Sequence, residues 1–226
     1  MKTFSAPLLK VTKETSDVMT FRFSINMDFK PGQFVMLKVG ERSVAYSISS
    51  SPTDKGYIEI SMKTGPSDFK KALGSAKIGS VFEIKGPYGV FLFDESKDAI
   101  MLAGGIGITP FRCMIRYATA KNLPVRIDLI YSNKTPDDIV FRQELESTEK
   151  QNPNLKVTNT ITRPEGHEWK GATGRIDAGM IKKIAGWEKR VFYVCGPTAM
   201  VESIVTTLSQ MGVPENQIRQ EKFTGY

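Results

Sequence analysis

A chain of 226 residues, 40% apolar and carrying a formal net charge of +7, is long enough for one large domain or two modest ones. Its apolar runs fall far short of the roughly 20 residues that cross a bilayer. Its positive charge is spread along the sequence, which argues against a nucleic-acid-binding arm.

Residues 1–95 read as a β domain. Segments 5–11, 18–23, 34–39, 57–62 and 81–85 are short and rich in β-branched or aromatic residues. Turn residues separate them: Asp28, Pro31, Gly32, Gly40, Pro52 to Gly56, Gly65, Pro66 and Gly79. Short strands at this spacing predict an antiparallel β-barrel, with one short helix over 67–73. The polar DESKD that begins at Asp94 ends this pattern. From 96 to 226, predicted strands at 99–102, 125–131, 155–161, 190–195 and 218–221 alternate with predicted helices at 110–120, 139–150, 178–184 and 199–211. That alternation predicts a second domain, an α/β parallel-sheet nucleotide-binding domain. Residues 162–175, with His167 and Trp169, read as a surface loop without chemistry.

The stretch AIMLAGGIGITP, Ala99 to Pro110, has a specific logic. A wholly apolar strand suits the interior of a parallel sheet. Gly104, Gly105 and Gly107 permit a tight turn and close approach of a ligand. Thr109 is a good N-cap and Pro110 suits the first helical position. The helix start would then offer free N–H groups and partial positive charge to a phosphate. The pattern is GGxGxTP rather than GxGxxG, and no GxxxxGK[ST] is present. Cys195 ends a strand before Gly196 and Pro197, so a site role outweighs that of a small buried hydrophobe.

GGIGITP at Gly104 and CGP at Cys195 follow AYSISSSP at Ala45 and GPYGVF at Gly86, and precede a final EKFTGY. In that order, over essentially the whole chain, these motifs resemble the ferredoxin–NADP reductase family of FAD-dependent oxidoreductases. The resemblance implies a flavin-binding barrel followed by a nicotinamide-nucleotide domain, without a fused iron–sulfur domain. It implies that Tyr46 packs on the isoalloxazine ring and that Ser47, with Ile48 and Ser49 beside it, lies near flavin N5. Backbone N–H groups from Gly65 onward, with Lys63 nearby, would meet the FAD pyrophosphate. Gly104, Gly105, Gly107, Thr109 and Pro110 would line the nicotinamide nucleotide, with Cys195, Gly196 and Pro197 beside the nicotinamide. Glu221 and Tyr226 match a tail whose acidic and aromatic residues lie close to the flavin.

Two departures stand out. Val44 occupies the position where the family usually carries Arg, and Arg42, on the same face of an extended strand, is the candidate substitute. Lys70 replaces the usual Ser or Thr of the phosphate segment, so Lys70 or Lys71 would supply the missing charge. Ser132, Lys134 and Arg142 follow the second strand of the sheet and lean the choice of reductant to NADPH over NADH. Asp137 and Asp138 argue the other way unless they cap a helix.

The expected activity is hydride transfer from NAD(P)H to FAD N5, then electron delivery to a separate acceptor. The net charge points to an acidic ferredoxin or flavodoxin. Alternatives are a flavin reductase, an electron-transfer subunit of a larger redox complex, or a nucleotide sensor without turnover. Cys113 and Cys195 are too few for an iron–sulfur cluster held by this chain alone, and the single His167 makes a histidine-built metal site implausible. The opening MKTFSAPLLKVTKETSD lacks the apolar core of a secretory signal, so a cytoplasmic location is expected.

Overall fold

The computed structural model describes residues 2–224. Contacts divide the chain into two compact units, one of residues 1–93 with 109–120 and the other of residues 94–108 with 121–226.

The first unit is built on six antiparallel strands: β1 (Lys2–Lys13), β2 (Val18–Ser24), β3 (Phe34–Val39), β4 (Arg42–Ser47), β5 (Tyr57–Lys63) and β6 (Val81–Tyr88). Their order is β4-β3-β6-β1-β2-β5. β1 serves both halves of this sheet, pairing with β6 through residues 2–7 and with β2 through residues 8–13. Its register shifts between Leu8 and Lys10, the kind of irregularity that lets a strand bend between two partners. The outer strands meet at a single bridge, Ile48 to Ile60, which brings the sheet round into a barrel. Phe21, Phe23, Leu37, Ile58 and Ile60 fill the interior and are fully buried. Helix α1 (Asp68–Gly74), capped by the Ser67 hydroxyl, adds Phe69 and Leu73 to that core.

β4 is absent from the strands predicted from alternation. Arg42, Ser43, Val44 and Ala45 are all exposed, so this edge strand buries neither face and leaves no periodic signal.

The second unit holds a parallel sheet of β7 (Ala99–Gly104), β8 (Ile127–Asn133), β9 (Leu155–Ile161), β10 (Ala172–Thr173), β11 (Val191–Pro197) and β12 (Ile218–Phe223). Helices α2 (Ile108–Ala120), α3 (Arg142–Gln151), α4 (Ala178–Lys182) and α5 (Thr198–Gln210) alternate with these strands in sequence. The strand order is β10-β9-β8-β7-β11-β12. From β7 the chain builds outward through β8, β9 and β10, then returns to the other side of β7 for β11 and β12. The order therefore reverses between β7 and β11, the point where open α/β sheets receive ligands. Every residue of β7 is buried, as a central parallel strand requires.

Two expectations are corrected. The segment 162–175 contains β10, whose two residues are too few to show a pattern. A 3-10 turn (Gly105–Gly107) leads directly into α2 at Ile108, so Thr109 is inside the helix rather than its N-cap, and Pro110 is its third residue rather than its first.

Candidate functional site

In the first unit the AYSISSSP motif runs off the end of β4. Tyr46 is half-buried and stacks on Phe69 of α1, with ring centroids 6.2 Å apart at 26°. Burial pushes its phenol up to about 12, so it stays protonated at neutral pH. Ser47, Ile48, Ser49, Ser50 and Ser51 are buried. The serines are held by other polar groups. Ser49 N–H donates to the Glu59 carbonyl at 2.8 Å, and Glu59 N–H donates to the Ser50 hydroxyl at 2.9 Å. The hydroxyls of Thr20 and Ser61 share a hydrogen bond of 2.8 Å, and those of Ser49 and Ser61 one of 3.3 Å.

Val44, 36% exposed, lies two residues before Tyr46 on the same strand, and Arg42 is exposed two residues earlier. β4 is exposed from Arg42 to Ala45 and turns inward at Tyr46 and Ser47. Gly65 lies beneath Lys70, whose Cδ and Nζ are 3.2 and 3.5 Å from where a Cβ on Gly65 would sit. Lys71 is exposed in the last turn of α1. Lys63 is engaged elsewhere, in an ion pair with Asp17 at 3.1 Å.

Sequence reasoning missed the most buried charges of this unit. Glu59 and Arg112 are 5% and 6% exposed and paired at 2.7 Å. Alternation in YIEISMK puts Glu59 on the face opposite Ile58, Ile60 and Met62, the face that reads as solvent-facing, so the sequence pattern does not reveal that this carboxylate is buried against a helix arginine.

In the second unit the glycine turn and the end of β11 meet. A Cβ on Gly107 would clash with the Cys195 carbonyl oxygen and come within 2.7 Å of the Gly196 Cα. A Cβ on Gly104 would strike the Met200 thioether, and one on Gly196 would lie 3.2 Å from the Gly104 backbone. Gly107 is therefore required by the protein's own packing against fixed backbone, whereas Gly104 faces the movable end of Met200 and Gly196 makes a tight but not overlapping approach. Gly105 differs: its φ is +51° and nothing lies within 4 Å of its would-be Cβ, which leaves an open approach to backbone at the switch point. The Tyr131 hydroxyl donates to the Gly105 carbonyl at 2.9 Å and steadies the turn.

Cys195 is fully buried opposite Glu221 in register. Burial, helped by the Glu221 charge, raises its thiol well above the ordinary value, which makes it a neutral neighbour rather than a nucleophile. Burial pushes the Glu221 carboxyl up to about 7, and its Oε2 has no hydrogen-bond partner among the described residues. Pro197 is exposed. Tyr226 lies outside the described residues.

At the end of β8, Ser132 is half-buried, and Lys134, just past the strand, is exposed. Between them Asn133 is 5% exposed, with both amide atoms lacking a partner. It follows Tyr131 by two residues and so shares its face of the sheet. Sequence reasoning passed over Asn133 for its more conspicuous neighbours. Asp138 accepts from the Thr135 N–H and hydroxyl, both at 2.9 Å, so it caps its own 3-10 turn. Arg142 donates to Glu146 at 2.9 Å and lies over the Trp169 ring at 5.8 Å. Among the described residues, no group of three or more His, Cys, Asp or Glu is placed to hold a metal. No helix is long and apolar enough to cross a membrane.

Residues 5–93 match the oxidoreductase FAD-binding domain family, and residues 101–206 the oxidoreductase NAD-binding domain family. The chain is 31% identical, over 95% of its length, to the glycine betaine monooxygenase reductase subunit of Chromohalobacter salexigens, and spans 62% of that protein. It is 31% identical, over 94% of its length, to NADH-cytochrome b5 reductase 2 of Xenopus tropicalis, and spans 83% of it. It superposes on the cytochrome b5 reductase domain of Ulva prolifera nitrate reductase with a TM-score of 0.85 at 27% identity, covering 97% of each chain. The ferredoxin reductase in carbazole 1,9a-dioxygenase shares the fold, with a TM-score of 0.87 at 24% identity over 99% of this chain and 70% of that one.

Proposed function

Because the chain belongs to the ferredoxin reductase-like family of FAD- and NAD-binding oxidoreductases, we propose that it takes electrons from NAD(P)H onto FAD and delivers them to a separate protein acceptor. One observation carries this reading: the sheet order reverses between β7 and β11, where open Gly105 and the Cys195-Gly196 strand end lie together. Bound FAD would supply two-electron reduction by a nicotinamide and release of electrons singly or in pairs.

The protein's own residues orient and shield. Tyr46, backed by Phe69, offers a flat apolar surface to the flavin ring, and Ser47 a buried hydroxyl. Arg42, Lys70 and Lys71 are the candidates to offset the pyrophosphate charge, since Val44 provides none. Gly105 and the turn around it would receive the nucleotide pyrophosphate. Asn133 and Lys134 would meet its adenosine half. Gly196, Pro197 and the neutral Cys195 would border the nicotinamide, and Glu221 holds a proton near neutral pH that its partnerless oxygen can exchange. Tyr226 is proposed, from the resemblance alone, as an aromatic cover for the flavin.

NADPH is favoured as reductant. Asp138 is occupied as a cap, and Lys134 is an exposed cation at the end of the second strand. Arg142 contributes less, because Glu146 and Trp169 already engage it. The acceptor is an acidic carrier such as a ferredoxin or flavodoxin, drawn by the net charge of +7. Relatives named for cytochrome b5 and for an oxygenase make those the competing acceptors. Val44 favours one further reading, a flavin reductase whose flavin exchanges.

The test is the absorption spectrum of the purified protein supplied with FAD, followed by anaerobic NADPH. Flavin bands that bleach are expected. A protein that binds no flavin, or whose flavin is not reduced, refutes the reading. A higher kcat/KM with NADH than with NADPH reverses the choice of reductant. Flavin lost on gel filtration supports the flavin reductase.

A further inference from the structure

We propose that Arg22, Glu59 and Arg112 are positioning residues for the flavin, which hold the segment after Tyr46 in place and bias the bound flavin toward its reduced, more negatively charged form. This rests on the reading that the first unit holds FAD.

Glu59 on β5 lies opposite Arg22 on β2 in register. Arg22 donates to Glu59 Oε1 through Nε at 2.9 Å and Nη2 at 2.8 Å. Its guanidinium also lies over the Tyr57 ring at 4.1 Å. Arg112 on α2 donates through Nη1 to Glu59 Oε2 at 2.7 Å and to the Ser49 carbonyl at 3.3 Å. The two arginines hold the Glu59 carboxyl below its usual range despite burial, so it stays ionised. One carboxylate between two guanidiniums leaves net positive charge; Glu59 and Arg112 are buried, where charge carries further than in solvent, while Arg22, with a third of its side chain exposed, is partly screened.

The same residues grip the flavin motif. Arg112 takes the Ser49 carbonyl, while the Glu59 backbone exchanges hydrogen bonds with Ser49 and Ser50. Further along, Ser51 N–H donates to Asp54 at 2.9 Å, and Arg116, one turn after Arg112, donates to both Asp54 oxygens at 3.0 Å. The stretch from Ser49 to Asp54 is thus fastened by polar groups on β5 and α2. Burying charge is costly, and apolar side chains of similar volume commonly stabilise a fold as well or better. Stability alone does not account for such a cluster. Holding a ligand-facing segment in one geometry, next to a fixed positive charge, does.

The experiment measures FAD affinity and the flavin midpoint potential in the flavin-loaded wild type, Glu59→Gln and Arg112→Met. Glu59→Gln removes negative charge at constant shape and is expected to raise the potential, whereas Arg112→Met removes positive charge and is expected to lower it. Opposite shifts support the proposal. Shifts of one sign, or none, in folded and flavin-loaded variants overturn it. The triple variant Arg22→Met/Glu59→Leu/Arg112→Met removes every charge of the cluster together and is expected to melt at the wild-type temperature. Its FAD Kd should rise by about tenfold or more, the scale of losing a supporting shell around a ligand. A native Kd and a native potential in that variant also overturn the proposal. A wild type that binds no FAD would instead refute the proposed function, a distinguishable result.

Discussion

Ser49, Ser50, Ser61 and Glu59 in the first unit are hydrogen-bonded to one another, whereas Asn133 and Glu221 in the second keep buried polar atoms without partners. Among the described residues, every buried side-chain polar atom that lacks a partner lies in the second unit. The contrast fits two kinds of ligand. Under the proposed function, a resident flavin would be served by a segment fixed in advance, and a nucleotide that enters and leaves with each turnover by groups whose hydrogen bonds it completes. Closed polar networks rigidify, while open ones cost stability until something binds.

The most severe way to break this comparison is to fill the switch point itself. Gly107→Val would push a side chain into the backbone of Cys195 and Gly196, which cannot move aside as a flexible side chain can. We expect nucleotide-dependent flavin reduction to be lost, with a stability cost of about 1–3 kcal/mol from overpacking. Gly105→Ala meets no atom and strains only a positive φ, so it should keep the fold and weaken nucleotide binding more mildly. Stopped-flow flavin reduction and thermal melts of the two variants separate the cases. Equal effects would mean that Gly105 has no special role.

Asn133→Ala tests whether the partnerless amide serves a ligand. Removing a buried polar group that bonds to nothing should leave the melting temperature of the nucleotide-free protein unchanged or higher. It should raise the KM for NAD(P)H by about tenfold, the worth of roughly one good hydrogen bond, at nearly constant kcat. A lower melting temperature with an unchanged KM would make Asn133 a structural residue and erase part of the contrast between the units.

Glu221 sharpens the comparison through pH. Its carboxyl is raised from 4.5 to about 7 in the folded chain, so between those values the folded state holds a proton that the unfolded state has released. Stability therefore falls as pH rises through that window, and the full cost persists above it. Glu221→Gln abolishes the titration. Denaturant melts should show the variant more stable than wild type above about pH 7, by on the order of 2 kcal/mol, and no different near pH 4. Parallel pH profiles for the two proteins would remove Glu221 from the open groups.

Much of this architecture is legible in the sequence, because strands that bury a face announce themselves. The predicted 34–39 and 155–161 coincide with β3 and β9, whose apolar residues face a core. β4 is silent because both of its faces are exposed over most of its length, although its Tyr46 and the serines after it form one of the motifs that carry the family resemblance. The glycines of the switch point are legible as a group, but only coordinates separate Gly107, fixed by packing against backbone, from Gly105, which is open. Glu59, Arg112 and Asn133 escape for a common reason. Each is buried, and its partner, or lack of one, depends on chain many residues away.

The smallest expected effect tests the flavin side of the contrast at its most exposed point. Val44 leaves the pyrophosphate without the usual arginine, and Lys70 lies over Gly65 at the start of α1 with Lys71 beside it in sequence. If these lysines offset that charge, Lys70→Ala/Lys71→Ala should raise the FAD Kd by less than about tenfold, since charges that solvent reaches, as at half-buried Lys70 and exposed Lys71, contribute little. The increment should shrink further in high salt, where the Debye length falls to about 3 Å at 1 M. Equilibrium dialysis of FAD at low and high ionic strength measures both. An unchanged Kd at low salt would rule the lysines out and leave Arg42 as the remaining candidate cation on the flavin-facing edge. A salt-independent loss would mean that Lys70 acts by covering Gly65 rather than by its charge, which would make even this exposed corner part of the prearranged framework of the first unit.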